Sequence, residues 1–217
     1  MKLVIGNKNY SSWSLRAWLL LHSFKVPFEE IKVPLYAQGA ADHIKAYSKA
    51  AKVPVLHDGN LVVWDSLAIC EYVNETYLTG QAWPSVAAAR AQARSAAAEM
   101  HSSFQALRSQ MPMNCRAAHR RVPMTDILQK DIRRIDELWN DLHQSHGGKG
   151  KFLCGDFSIV DCMFAPVVFR FNTYGAELST FAEDYVATLL NLASMQQWLA
   201  DARLETAVIV EEEVGLP

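Results

Sequence analysis

The sequence predicts a two-part chain: a small α/β unit followed by an all-helical one. Three observations predict it. Short apolar runs alternate with helical patterns from Lys2 to Tyr77, in the order β-α-β, a weak helix, then β-β-α. Thr79-Gly80-Gln81-Ala82-Trp83-Pro84 then breaks the pattern. Everything beyond reads helical. The expected division is 1–80 and 85–217.

Each element has its own reason. Lys2 to Ile5 is a short apolar run and predicts a buried strand. Leu15, Ala17, Leu19, Leu20 and Phe24 follow at helical spacing. The stretch between Val26-Pro27-Phe28 and Val33-Pro34-Leu35 predicts a second strand bounded by prolines. Gln38 to Lys45 is a weak helix or a loop. Lys52-Val53-Pro54-Val55-Leu56 and Leu61-Val62-Val63-Trp64 flank a turn at His57-Asp58-Gly59-Asn60 and predict a hairpin. Pro54 cannot donate a ladder hydrogen bond, so it belongs at an edge or a cis turn. Asp65-Ser66 starts the next helix, with Ser66 as the expected N-cap.

In the second part, Ser85 to Gln110 predicts one alanine-rich helix, ended by Pro112. Another starts at Pro123 or Met124 and stops at Gly147-Gly148. Ser158-Ile159-Val160-Asp161 is a capping box opening a very apolar helix to Phe171. Asp184 to Leu192 and Ser194 to Ala202 give two shorter helices, and Glu211-Glu212-Glu213 reads as a solvated end.

Composition excludes several classes. The 217 residues are 50% hydrophobic, enough for a sizeable core, and the net charge is -2. A nucleic-acid binder needs a basic stripe, and none is present. Arg16 interrupts the best candidate for a membrane span, and the start lacks the long apolar region of a signal peptide. Cys70, Cys115, Cys154 and Cys162 form no paired motif and read as reduced thiols of a cytoplasmic protein. His143 and His146 stand three apart at a helix end without further ligands, so no metal site is expected.

The chemistry concentrates at Asn9-Tyr10-Ser11-Ser12-Trp13-Ser14-Leu15-Arg16. Hydroxyls sit there where a strand ends and a helix begins. A helix N-terminus offers unpaired N–H groups and a positive dipole end, which suit an anion. A serine at such a junction can cap the helix or face a bound anion. His101, Phe104, Arg108 and Met111 share one face of the expected long helix, and a histidine and an arginine are foreign to a dry core.

Four segments in this order resemble the glutathione transferases. Ser11-Ser12-Trp13-Ser14-Leu15-Arg16 is similar to the serine-type active-site loop, with Trp13 where zeta-class members carry cysteine. Lys52-Val53-Pro54-Val55-Leu56 resembles the cis-proline segment, Asp65-Ser66-Leu67-Ala68-Ile69-Cys70-Glu71-Tyr72 the acidic-Ser segment, and Ser158-Ile159-Val160-Asp161 the capping box of the helical domain. The resemblance implies a thioredoxin-like α/β N-terminal domain and an all-α C-terminal domain. It implies glutathione as co-substrate, no cofactor and a homodimer, in which Arg90 and Arg94 either face the partner or are simply exposed.

The resemblance also implies the site. Val53 offers backbone groups to the cysteinyl unit, Ser66 holds the γ-glutamyl carboxylate and Asp65 its ammonium, and Lys52 pairs with the glycyl carboxylate. Ser11 or Ser12 donates to sulfur, with Ser11 favoured by counting back from Arg16, Ser14 as first-turn cap and Tyr10 as fallback. Lowering a thiol pKa by about two units takes about 2.7 kcal/mol. One charge-assisted hydrogen bond gives roughly 1.5–3 kcal/mol and a helix N-terminus roughly 0.3–1 kcal/mol, so no stronger base is needed. A pocket for a small hydrophobic electrophile is expected between the domains, walled by Trp13, His101, Phe104, Arg108 and Met111. The implied activity is conjugation. The alternatives are isomerisation of the maleylacetoacetate type, peroxide reduction, or a non-catalytic binding module. Isomerases hold an acidic substrate with an arginine late in the helix after the capping box; Thr173 matches that place, and Arg170 lies one turn earlier.

Overall fold

The computed structural model describes residues 1–37 and 39–216. Four strands form one mixed sheet in the order β2-β1-β3-β4. They are β1 (Lys2–Ile5), β2 (Glu29–Lys32), β3 (Val55–Asp58) and β4 (Leu61–Trp64). β1 runs parallel to β2 and antiparallel to β3, and β3 and β4 make the expected hairpin. The first helix, α1 (Ser12–Ser23), crosses between the parallel pair; α2 (Ala40–Lys45) and α3 (Ser66–Thr76) follow β2 and β4. The weak helix foreseen from Gln38 thus exists from Ala40, and Gln38 lies outside the described residues.

Strand alternation decides which face each helix covers. Leu3, Ile5 and Leu56 join the main core with α1 and α3. Val4 and Val55 point the other way and enclose a small second cluster with Val33 and Ile44 of α2. The main core continues without a break into the helical part, so the two parts share one apolar interior.

That part contains α4 (Ala87–Ser102), α5 (Gln105–Gln110), α6 (Asp126–His146), α7 (Ile159–Tyr174), α8 (Thr180–Leu190), α9 (Ala193–Leu204) and a 3-10 turn, Val210–Glu212. α7 is its axis, buried almost along its whole length between α1 and α4. Ala89, Ala93, Ala96 and Ala97 give α4 a small-residue face that lets α7 come close. The box at Ser158 and Asp161 is formed as expected: Asp161 Oδ2 accepts from Ser158 N–H at 2.8 Å and from Ser158 Oγ at 3.1 Å. Its other oxygen accepts from Leu153 N–H at 3.2 Å and Tyr185 O–H at 3.0 Å.

Three expectations are corrected. The alanine-rich helix is two helices: Ser103 is extended and Phe104 takes a left-handed conformation, φ 63°. The Arg108 guanidinium occupies the break, donating to Ser103 O at 2.9 Å and to the carbonyls of Met100 and His101. A cation there satisfies carbonyls that the ended helix leaves open. Second, Asp65 and not Ser66 caps α3, its Oδ1 accepting from Leu67 N–H at 2.9 Å and Ala68 N–H at 3.1 Å. Third, the acidic tail folds back: Glu213 pairs with Arg120 at 2.7 Å and accepts from Asn114 Nδ2 at 2.9 Å. No helix among the described residues is long and apolar enough to cross a membrane.

Candidate active site

The junction between β1 and α1 is held from both parts of the molecule. Asn9 is fully buried; its side chain donates to Asn114 Oδ1 at 2.9 Å and accepts from Arg116 N–H at 2.8 Å. Glu205 takes the N–H groups of Lys8 and Asn9 at 2.8 and 3.0 Å. Neither anchor carries a sequence signal, since each partner lies about a hundred residues or more away. With the loop fixed, Ser11 stands at the N-cap of α1 and Ser12 opens the helix. By helix geometry, the amides of Trp13 and Ser14 have no acceptor in a preceding turn.

The hydroxyls differ in their partners. Ser11 Oγ donates to Ser14 Oγ at 2.7 Å, and Ser14 Oγ accepts from Gly6 N–H at 3.1 Å, tying the helix to the end of β1. Ser12 lines the cavity, and among the described residues its hydroxyl makes no hydrogen bond. Tyr10 lines the cavity too, but its O–H donates to Glu213 at 2.6 Å and its oxygen accepts from Arg116 at 3.0 Å. Burial, foremost, holds the Tyr10 phenol above its usual pKa. The fallback donor is therefore engaged elsewhere.

The cavity measures about 1110 Å³ and lies between the two parts. Ser11, Ser12, Trp13, Lys52, Val53, Pro54, Asp65 and Ser66 all line it. The Val53–Pro54 bond is cis, and the backbone groups of Val53 have no partner among the described residues. Lys52 is exposed at the rim. Asp65 adopts φ 77°, unusual for a residue with a side chain, and so presents Ser66 at the start of α3. The Ser66 hydroxyl is buried without a partner, at a helix N-terminus that itself favours an anion.

The opposite wall differs from expectation. His101 and Arg108 line the cavity, while Phe104 and Met111 belong to the core. The break at Phe104 explains this, because it ends the single helical face that would have aligned the four. Arg170 and Glu212 complete the wall. With Phe104 and Met111 withdrawn and Arg170 added, the wall is more cationic than the pocket expected for a hydrophobic electrophile, although Glu212 offsets part of the charge. Arg16 and Arg108 lie over the Trp13 ring at 4.4 and 4.9 Å, and His101 meets its edge at 5.2 Å. Arg16 is fully buried; its Nε and Nη1 have no partner, and burial, then Arg108 and Arg170, lower its pKa to about 9. Burial, followed by Arg108, lowers Arg170 to about 10, although its Nη1 donates to Arg108 O at 3.2 Å and to Met111 O. Among the described residues none of the three arginines forms an ion pair. Thr173 does not reach the cavity; its hydroxyl donates to Asn114 O at 3.0 Å.

The remaining candidates have structural partners. His146 contacts Gln92 at 2.8 Å and His143 the Phe152 carbonyl at 3.1 Å, and no metal-binding group of side chains occurs among the described residues. Arg90 donates to the carbonyls of Pro84 and Ser85 at 3.0 and 2.7 Å, and Arg94 pairs with Glu71 at 3.3 Å. All four cysteines are free, and burial raises each thiol pKa, so none supplies a reactive thiolate.

Comparison with known proteins gives one answer. The chain is 27% identical over 175 residues to a probable maleylacetoacetate isomerase of Caenorhabditis elegans, covering 78% of each chain. Its fold matches a bacterial zeta-class maleyl pyruvate isomerase with TM-score 0.72 at 22% identity, over 95% of this chain and 100% of that one. It also matches a glutathione transferase homolog from Burkholderia with bound glutathione, TM-score 0.71 at 22% identity, over 93% and 97%. The family models for the glutathione S-transferase N-terminal and C-terminal domains match residues 10–76 and 85–191. With both models met in order along most of its length, the chain belongs to the glutathione S-transferase family.

Proposed function

We propose that the chain ionises the thiol of glutathione at the N-terminus of α1 and adds the thiolate to an electrophile carrying a carboxylate. The observation that carries this reading is the unengaged Ser12 hydroxyl, facing the cavity at the first turn of α1. It donates to sulfur, and the first-turn amides and the helix dipole assist. Ser11 acts from behind, through Ser14. The tripeptide lies along Val53, whose free backbone groups pair with it as an added strand would. Ser66 takes the γ-glutamyl carboxylate, Asp65 the ammonium and Lys52 the glycyl carboxylate. A homodimer in the cytoplasm is part of the same proposal.

Replacing Ser66 by alanine removes a cavity-lining hydroxyl that has no partner among the described residues. The expected outcome is a roughly tenfold weaker glutathione affinity, about 1.4 kcal/mol, with little change in thermal stability. Calorimetric titration with S-methylglutathione checks it, and an unchanged affinity would move the γ-glutamyl carboxylate elsewhere.

The carboxylate on the electrophile rests on Arg108 and Arg170, which line the cavity and form no ion pair among the described residues, while the fully buried Arg16 adds positive charge nearby without lining it. The same cluster favours a second reading, cis–trans isomerisation of an unsaturated dicarboxylate, the type named for the relatives. Thiolate adds to one alkene carbon, the former double bond rotates, and elimination restores the alkene and releases glutathione unchanged. One comparison tests both. Initial rates are measured with an aryl halide, its carboxylate-bearing counterpart and maleylacetoacetate, the last with less than one equivalent of glutathione. A kcat/KM at least tenfold higher for the carboxylate-bearing halide supports the anionic pocket, and complete conversion of maleylacetoacetate supports isomerisation. Preference for the neutral halide rules the anionic pocket out.

A further inference from the structure

His101 belongs to α4, yet its closest ionisable neighbour is across the cavity in the α/β part. Its Nε2 lies 3.0 Å from Asp65 Oδ2. The two oxygens of Asp65 thus have separate tasks. Oδ1 accepts both N–H bonds that cap α3. Oδ2 is the oxygen left for a ligand, and His101 already touches it. A carboxylate oxygen has room for two donors, so a neutral imidazole giving one N–H leaves one place for an ammonium group. An imidazolium gives the same N–H but sets a full positive charge beside that place.

We propose that His101 is a positioning residue for glutathione: from the helical domain of the same chain it orients the outer oxygen of Asp65, and capture of the tripeptide's ammonium group weakens when the imidazole gains a proton. The inference rests on the assignment of Asp65 to that ammonium.

The surroundings set which protonation state prevails. Arg16 from α1 and Arg108 from α5 face the imidazole, Asp65 from the α3 N-terminus opposes them, and Trp13 supplies an apolar edge. Burial comes first and, with the two arginines, outweighs the carboxylate, holding the His101 pKa below the usual histidine value. The free site is therefore neutral around pH 7 and ready for a cation. A bound ammonium adds another positive charge and lowers the pKa further. By linkage, binding then expels a proton at acidic pH, and affinity falls as pH falls.

The experiment uses S-methylglutathione, which has no thiol to ionise, and its analogue lacking the α-amino group. Both are titrated calorimetrically into the full chain at about pH 7.5 and about pH 5.5. For the amino-bearing ligand the Kd is expected to rise roughly two- to fivefold on acidification, the effect near pH 5.5 of a pKa difference of about one unit between a free imidazole already below its usual value and the bound one. The analogue without the amino group is expected to show no such rise, and H101Q, which keeps an N–H donor without a titrating ring, to abolish the rise for S-methylglutathione. An equal slope for the two ligands overturns the proposal, as does a wild-type slope in H101Q. D65N separates the layers. If it binds S-methylglutathione as tightly as wild type, the ammonium assignment falls and this inference with it. If it binds weakly while H101Q keeps the slope, only the role of His101 falls.

Discussion

Ser12→Ala is expected to lower kcat/KM at neutral pH by one to two orders of magnitude and to raise the pKa of enzyme-bound glutathione by about the same number of units. The removed interaction is one hydrogen bond from a neutral hydroxyl to a thiolate, about 1.5–3 kcal/mol. Ser11→Ala is expected to cost less, because the Ser11 hydroxyl already donates to Ser14 at 2.7 Å. The loss is expected in kcat more than in glutathione affinity, since a hydrogen bond to sulfur matters once charge develops there. The pH profile of kcat/KM and the ultraviolet absorbance of bound thiolate measure both quantities. An unchanged thiol pKa in the Ser11→Ala, Ser12→Ala double variant would eliminate hydroxyl activation and leave the helix amides alone.

The largest stability effect is expected at Asp161. Its carboxylate accepts from Ser158 N–H and Oγ, Leu153 N–H and Tyr185 O–H, all within the core. Asp161→Ala leaves those donors unsatisfied and removes the cap of α7, a loss of about 3–5 kcal/mol. For a chain of this size that is a fall in Tm of about 10 °C. Burial pushes the Asp161 carboxyl up to about 6, against the hydrogen bonds that favour its charged form. A carboxyl raised on folding binds its proton more tightly in the native state. Its contribution to stability is therefore greatest below the unfolded pKa near 3.8 and declines as pH rises through about 6. Asp161→Asn does not titrate, so its deficit relative to wild type is expected to be larger at pH 4.5 than at pH 7. Denaturant midpoints at the two pH values check the sign, and a deficit that grows toward pH 7 would reverse it.

Much of this could be read from the residues because it is local. The apolar runs of β1 and β3, the hairpin around Gly59, and the box at Ser158 and Asp161 each lie within a few positions. That Lys52, Val53, Pro54, Asp65 and Ser66 would stand together on one cavity was legible for a similar reason: each lies at the end of an element, where residue type and backbone demand coincide. The cationic wall was not legible as a wall. Arg108 and Arg170 lie far apart in sequence and meet only when α5 and α7 come together, and Arg16 of α1 is buried close by without lining the cavity. The break at Phe104 was hidden because strong helix formers flank it on both sides; the one available signal is the pair of poor helix formers, Ser102-Ser103. Asp65 displaced Ser66 as cap because a left-handed Asp65 places its carboxylate over the first amides of α3, and no residue pattern announces that backbone state.

The return of the acidic tail to the first loop has a consequence for biosynthesis. Tyr10 and Glu213 are 203 positions apart, yet they share a hydrogen bond beside the cavity that Glu212 helps to wall. Chains leave the ribosome from the N-terminus, and early domains fold as units while later ones are still being translated. The strands and the hydroxyl loop are thus synthesised long before the segment that covers them, and before Asn114 and Glu205, which hold the loop. A nascent polypeptide therefore carries a reaction chamber that stays open to water until the segment bearing Glu212 and Glu213 has been made.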